Sequence, residues 1–411
     1  MTGKQAKSER AKFVITSYDL LVRHDHLQKR YDQRAFQAII VDESHYIKDA
    51  RSKRSSIVLQ LCSRAKRCVL ISGTPAVNRA AELHTQFQIL LPTPPSHTLF
   101  CERYCELEEK LLRKGPKVVQ WTGAKRKSEL HALLTGTFMI RRLKKDVLHQ
   151  LPIKRRQRIT LDSTKLDAAI MKEVQDCLNA EASMEEEGEP REIMQAFRRT
   201  AEAKIHGVAA YVEYLIQSDI KFLLFAHHHV MLDALENKLR ELSTSYIRID
   251  GTTPQKKRHS LVDTFQCEPS VKVALLSITA CGQGLTLTAA STVVFAELYW
   301  VVGQMLQAED RAHRIGQVQM VDVQYCIAEG SVDELVYKSL NRKSRDTTGM
   351  LDGEEKCLGA WKRTDAPSLE NLRLSLSIGD DKFDKSNHKK RSGQREGIEK
   401  YFKRSFCDTT G

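Results

Sequence analysis

Short β-branched and aromatic runs, each followed by a polar break and a helix-period stretch, constrain this chain more than any other feature. Phe13-Val-Ile-Thr-Ser-Tyr18, Ala38-Ile-Ile-Val41 and Cys68-Val-Leu-Ile71 set the rhythm between about Lys12 and Leu91. It returns at Lys221-Phe-Leu-Leu-Phe225, Tyr246-Ile-Arg-Ile249, Val271-Lys-Val-Ala-Leu-Leu276, Thr292-Val-Val-Phe295 and Val321-Asp-Val-Gln-Tyr325. Strands alternating with crossover helices make a parallel sheet covered by helices. Two such blocks predict two α/β domains. The apolar runs, such as Val273–Leu276 and Val293–Ala296, are too short to cross a bilayer. The first residues, Met1-Thr-Gly-Lys-Gln-Ala-Lys7, lack the apolar core of a secretory signal, so an intracellular home is expected.

Between the blocks the sequence turns charged and helix-favouring, and its acidic run Met184-Glu-Glu-Glu-Gly-Glu-Pro190 reads as a solvated loop. From about Ser344 the strand rhythm stops, and Gly379–Gly393 is polar and turn-rich, as in a disordered tail. The expected organisation is a first lobe over 1–92, a helical insertion over 93–215, a second lobe over 216–343 and a disordered tail over 344–411.

The balance of 65 Lys+Arg against 52 Asp+Glu leaves +13, which favours a polyanionic partner through counterion release. Ten cysteines without a Cys-x-x-Cys pair read as reduced thiols rather than as a zinc framework. The triplet His227–His229 lacks further ligands at metal spacing and reads more simply as the start of a helix.

Asp42 and Glu43 directly follow a buried-strand pattern, and open α/β sheets place their ligands at strand C-termini. In nucleotide hydrolysis an Asp there holds Mg²⁺ through water, and a Glu orients the attacking water. Alone, the pair reads better as a surface turn; Ser72-Gly-Thr-Pro75, at a second strand end about thirty residues on, makes it specific. Gln307-Ala-Glu-Asp-Arg311-Ala-His-Arg314-Ile-Gly-Gln317 places two arginines three apart, on one face of an expected helix. Planar, permanently charged guanidinium groups suit a γ-phosphate approached from a neighbouring domain. Leu276-Ser-Ile-Thr-Ala-Cys-Gly-Gln-Gly284-Leu-Thr286 offers backbone N–H groups and hydroxyls to a phosphate, or marks a tight turn.

Asp42-Glu-Ser-His45, Ser72-Gly-Thr-Pro75, Ile140-Arg-Arg-Leu-Lys144, Phe225-Ala-His-His228, Arg248-Ile-Asp-Gly251 and Gln307–Gln317 together resemble the SNF2 group of superfamily 2 helicase-like motors. Asp-Glu-Ser-His, in place of the remodellers' Asp-Glu-Gly-His, and Val293-Val-Phe-Ala-Glu-Leu-Tyr-Trp300 resemble its annealing-helicase branch. Gly282-Gln-Gly-Leu-Thr286 and Leu340-Asn-Arg-Lys343 are most similar to the type bearing a Ran-binding-type zinc finger. The resemblance covers about residues 12–343. It implies two RecA-like lobes with ATP and Mg²⁺ in the cleft and DNA across both. Asp42 and Glu43 would be the Mg²⁺-binding and catalytic carboxylates, and Arg311 and Arg314 the arginine fingers, with Gln307 near the nucleotide. Ser72 and Thr74 would couple the lobes, and Gly284 and Thr286 would sense DNA or nucleotide. The implied activity is rewinding or remodelling of forked DNA in the nucleus, under replication stress.

The phosphate-binding loop of such motors, Gly-x-x-x-x-Gly-Lys-Ser/Thr, should stand well before Asp42, where Gly3-Lys4-Gln5 does not supply it. A truncated product or a motor remnant is therefore expected, with turnover crippled by several kcal/mol of lost transition-state stabilisation. The alternative is a catalytically inactive fragment that binds DNA and a sliding clamp. The clamp would take Ile398, Tyr401 and Phe402, although Arg395 stands where a Gln is expected and a short amphipathic tail is the plainer reading. Basic Lys385–Arg391 suits nuclear import or simple solubility. A DEAD-type RNA helicase fits less well, because His45 and His313-Arg-Ile-Gly-Gln317 depart from that group's usual Asp and Arg.

Overall fold

In the computed structural model, which describes residues 12–29, 34–110, 118–183, 190–280, 284–359 and 361–363, the two blocks fold as two α/β lobes of unequal size. The first holds α1 (Tyr18–Arg23), β1 (Ala38–Val41), α2 (Lys53–Arg64), β2 (Arg67–Leu70), α3 (His84–Leu90) and α4 (His97–Tyr104). β1 and β2 pair in parallel, from Ala38 opposite Arg67 to Val41 opposite Leu70. Period-two alternation turns Ile39, Val41, Cys68 and Leu70 towards a core with Leu21, Ile47 and Val58. On the other face Ile40 and Val69 are 69% and 52% exposed. The strand expected at Phe13–Tyr18 does not form: the Ser17 hydroxyl accepts from Leu20 N and caps α1. Among the described residues no strand lies beside that run, so it has no ladder to join.

The middle of the chain is less helical than its composition suggests. β3 (Glu106–Lys110) and β4 (Val118–Thr122) form an antiparallel hairpin, followed by α5 (Lys127–Thr137) and the single turn α6 (Lys144–Val147). Next comes β5 (Lys154–Thr160), then α7 (Ala168–Ser183), α8 (Pro190–Ala203) and α9 (Ile205–Gln217). β5 corrects the expected boundaries, because it pairs in the second lobe's sheet. Its Lys-Arg-Arg-Gln-Arg sequence hides a strand whose cations meet carboxylates: Arg155 with Asp322, Arg156 with Glu309.

The second lobe continues with β6 (Phe222–Ala226), α10 (His229–Glu241), β7 (Tyr246–Ile249), α11 (Gln255–Cys267), β8 (Val273–Ser277), β9 (Thr292–Phe295), α12 (Val302–Glu309), β10 (Val321–Ile327), α13 (Val332–Leu351) and β11 (Trp361–Arg363). The seven strands run in the order β11-β5-β10-β9-β6-β8-β7, all in parallel. β6, β8 and β9 are buried at every position, as expected of a sheet covered on both faces. Phe225, Leu276 and Phe295 belong to one core, Leu224, Leu275 and Val294 to the other. α13 and β11 also correct the reading of a disordered stretch from 344, since α13 runs on to Leu351 and β11 joins β5. Leu351 closes a cluster with Phe87, Phe100 and Leu130. Residues 364–411, with Ile398, Tyr401, Phe402 and the basic patch, lie outside the described residues, as does the acidic loop 184–189. Among those described, no helix is long and apolar enough to cross a membrane.

Candidate functional site

β1 ends at Val41 and delivers Asp42 and Glu43 to the strand's C-terminal edge. Asp42 is exposed; its Oδ1 accepts the Glu43 N–H at 2.9 Å, and its carbonyl accepts the Tyr18 hydroxyl at 2.7 Å. Glu43 has φ 48°, a left-handed conformation that costs a non-glycine residue on the order of 1 kcal/mol. Its Oε2 lies 3.2 Å from His45 Nδ1, out of line for a straight hydrogen bond; that nitrogen shares a 3.0 Å bond with Ser72 Oγ. His45, and beyond it Arg311, hold the Glu43 carboxyl below the usual glutamate range.

The Ser72–Pro75 loop continues β2. Ser72 Oγ accepts Thr74 N at 3.1 Å, and Ser44 N donates to Ile71 O at 2.9 Å, tying the two strand ends. Buried Glu82 accepts Val77 N at 2.7 Å and Asn78 N at 2.9 Å, fixing the loop's far end. The second lobe reaches this loop directly: Gln307 Nε2 donates to Thr74 Oγ1 at 3.3 Å, and Gly303 N to Val77 O at 3.4 Å. A Cβ on Gly303 would stand 2.7 Å from Val77 Cγ1, so only glycine permits that approach.

The arginine motif differs from its expected form. α12 stops at Glu309, and Arg311 and Arg314 lie in the turns after it rather than on one helical face. Gly316, at φ 100°, makes the reversal that an L side chain would strain. Glu309 ends the helix by plunging into the core, with no exposed side-chain area; Arg156 Nη2 stands at 2.7 Å, Lys154 Nζ at 2.9 Å and the Tyr325 hydroxyl at 2.5 Å. Burial pushes its carboxyl up, but the two cations outweigh that and bring it down to about 2. Gln317 pins the turn with one amide, donating to Thr288 O, Ala290 O and Ala312 O. Arg311 Nη1 donates to Leu285 O, and Arg314 Nη1 reaches Gly284 O, Leu285 O and Thr286 Oγ1, each at 3.4 Å.

The site residues therefore form two groups. Asp42, Glu43, Ser72 and Thr74 gather on the first lobe, met by Gln307 and by the charge of Arg311. Arg314, Gly284 and Thr286 cluster on the second lobe and make no bond to Asp42 or Glu43 among the described contacts. A cleft of about 330 Å³ opens between the lobes, lined by His45, Tyr46, Lys48, Arg54 and Val77 on one side and by Ile278, Thr279, Tyr299, Val301, Gln304, Gln307 and Ala308 on the other. Lobe two's wall comes from α12 and from the segments that follow β8 and β9, beside the strand-order reversal where such sheets bind ligands.

His227 and His228 serve structure here. Buried Glu297 accepts the N–H groups of both, and His228 Nδ1 at 2.5 Å, so one carboxylate fixes the two residues that lead into α10. No group of three or more His, Cys, Asp or Glu among the described residues is placed to hold a metal ion. Asp42 is an exposed oxygen donor, which fits Mg²⁺ held through water rather than in a protein cage. Sequence reasoning missed Glu82, Arg156, Lys154 and Glu297; the carboxylates or backbone groups that Lys154, Arg156 and Glu297 meet lie far along the chain, and Glu82 turns back on the loop just before it.

The family model for the SNF2-related domain matches residues 1–215, and that for the helicase conserved C-terminal domain matches 203–316. The chain is 43% identical over 359 residues to the DNA annealing helicase and endonuclease ZRANB3 of Mus musculus, covering 85% of this chain and 33% of that protein. It is 41% identical over 335 residues to the SWI/SNF-related matrix-associated actin-dependent regulator of chromatin subfamily A-like protein 1 of Drosophila melanogaster, covering 81% of this chain and 43% of that protein. It thus spans between a third and a half of the length of these curated relatives. The C-terminal part of the Fun30 ATPase domain, at 19% identity and TM-score 0.39 over 46% of this chain and 90% of that one, is too distant to argue from.

Proposed function

Since the chain belongs to the SNF2-related family of helicase-like proteins, we propose that it works as the hydrolytic and DNA-engaging part of an ATP-driven translocase that rewinds or remodels forked DNA. The observation that carries this reading is Glu43, charge-conditioned by His45 and Arg311, beside a loop that Gln307 grips from the other lobe. Held in a left-handed backbone conformation, Glu43 orients a water for attack. Asp42 would hold Mg²⁺ through water, and such an ion would supply positive charge beside the transferred phosphoryl group. Arg311 and Arg314 meet that phosphoryl group from the second lobe, Arg314 after releasing its three weak bonds to the 284–286 loop. Gly284 and Thr286 thereby register DNA or nucleotide through the arginine they hold. The excess of basic residues favours the DNA backbone as the track.

The action proposed is nuclear, at stalled forks, with the sliding clamp engaged through Ile398, Tyr401 and Phe402. The assay is rewinding of a forked duplex containing an unpaired bubble. ATP is expected to speed rewinding of DNA, and an RNA duplex of the same sequence is not expected to respond. Rewinding indifferent to ATP, or equal on RNA, would contradict the reading. The alternative reading is that the chain binds forked DNA and the clamp without turnover, and DNA affinity unchanged by ATP would mark it.

A further inference from the structure

Thr137 ends α5 and Lys144 begins α6, and the chain between them passes from one lobe to the other without helix or strand. Phe138 and Met139 pack against the Phe87 cluster, but Ile140 beyond them is 82% exposed, so apolar burial does not set the path from there. Two cations do. Arg141 Nη1 donates to Gly73 O at 3.2 Å and its Nε to Asp352 Oδ1 at 2.9 Å. Three residues on, Lys144 Nζ donates to His313 O at 3.2 Å and lies 2.7 Å from Asp310 Oδ2. Gly73 sits between Ser72 and Thr74, while Asp310 and His313 bracket Arg311. One short linker thus holds both catalytic loops.

Asp352 strengthens the case. It is the C-cap of α13, where the helix dipole disfavours a carboxylate, and its side chain is only 11% exposed. Such a group needs a cation, and the Arg141 fork meets it and Gly73 together, a two-way geometry that a lysine ammonium does not fix. α13 is rooted in the second lobe's core through Val336 and Leu340, and its last turn packs with Phe87 and Phe100. Arg141 therefore ties the Gly73 loop to a helix that belongs to both lobes.

We propose that Arg141 and Lys144 are positioning residues, a linker clamp that fixes the spacing between the Ser72–Thr74 loop and the Arg311 turn. The inference rests on the reading of the chain as an ATP-driven motor and names how its two loops are kept in register. Neither residue touches the reacting atoms. Arg141 sets the first loop through a carbonyl, and Lys144 sets the second through a carbonyl and a carboxylate.

The test is hydrogen exchange on the whole chain carrying Arg141→Ala, Arg141→Lys or Lys144→Ala, with exposed Arg142→Ala as the neighbour control. Arg141→Ala is expected to speed amide exchange at Gly73 and Thr74 about tenfold and leave β6 and β8 unchanged. Lys144→Ala should do the same at 311–314. Arg141→Lys should recover the Asp352 tie and protection at the end of α13, but not protection at Thr74. Exchange unmoved in both alanine variants, or raised evenly through the second sheet, overturns the clamp. DNA-dependent ATP hydrolysis by the same proteins separates the two claims: the clamp predicts a lower kcat at unchanged KM. If the unaltered chain shows no hydrolysis while the local exchange pattern appears, the motor reading fails and the clamp stands. If hydrolysis is normal in both alanine variants, the clamp fails alone.

Discussion

In the second lobe every position of β6 and β8 is buried and cores cover both faces of the sheet, whereas in the first lobe Ile40 and Val69 point from β1 and β2 into solvent. Both are parallel sheets, and parallel sheets owe their stability to cover on both sides. Among the described residues the second lobe's sheet has seven strands, enough neighbours to be rigid from within, and the first lobe's has two, which are not enough. Yet the carboxylates that would activate water stand on the two-stranded sheet. Their geometry is held by directed polar ties instead: Ser44 N to Ile71 O, His45 to Ser72, Glu82 to two backbone N–H groups, and Gln307 from across the cleft. Packing builds one half of the site, and hydrogen bonds together with the other lobe build the rest.

The widest contrast is expected from matched truncations. Phe225→Ala should cost about 3–5 kcal/mol, against about 0.5 kcal/mol for Val69→Ala. Denaturant unfolding followed at β6 and at β1 by hydrogen exchange reads both, and similar losses would break the comparison. Next, Arg156→Ala strips buried Glu309 of its main counter-charge and should cost about 3 kcal/mol, seen as a fall in Tm. Acid titration probes the same pair. The Glu309 carboxyl falls from its ordinary 4.5 to about 2, so its stabilisation is whole above pH 4.5 and lost as pH falls towards 2. Arg156→Met should flatten that stretch of the stability curve. Smallest, Ser52→Ala removes the α2 cap that bonds Ser55 N, and should loosen the first lobe by about 1 kcal/mol without touching exchange in β6.

What could be read from the sequence follows the same division. β1, β2 and β6 to β10 are legible because their burial demands β-branched and aromatic runs, and Asp42 is legible because it ends one of them. β5 is not, since the carboxylates that meet its cations, among them Glu309 and Asp322, stand more than a hundred and fifty residues away. Phe13–Ser17 reads as a strand but finds no neighbour among the described residues. The helix assumed across Arg311 and Arg314 ends at Glu309, because that side chain turns into the core, a fact local spacing cannot carry. Gln307 and Thr74 were each legible as candidates; the bond between them belongs to tertiary structure.

The most direct test is phosphate release from ATP by this chain with forked DNA, beside a Glu43→Gln variant. The account predicts release that requires DNA and disappears in the variant while DNA binding is retained. Release that ignores DNA or survives Glu43→Gln, or none above the blank, would contradict it.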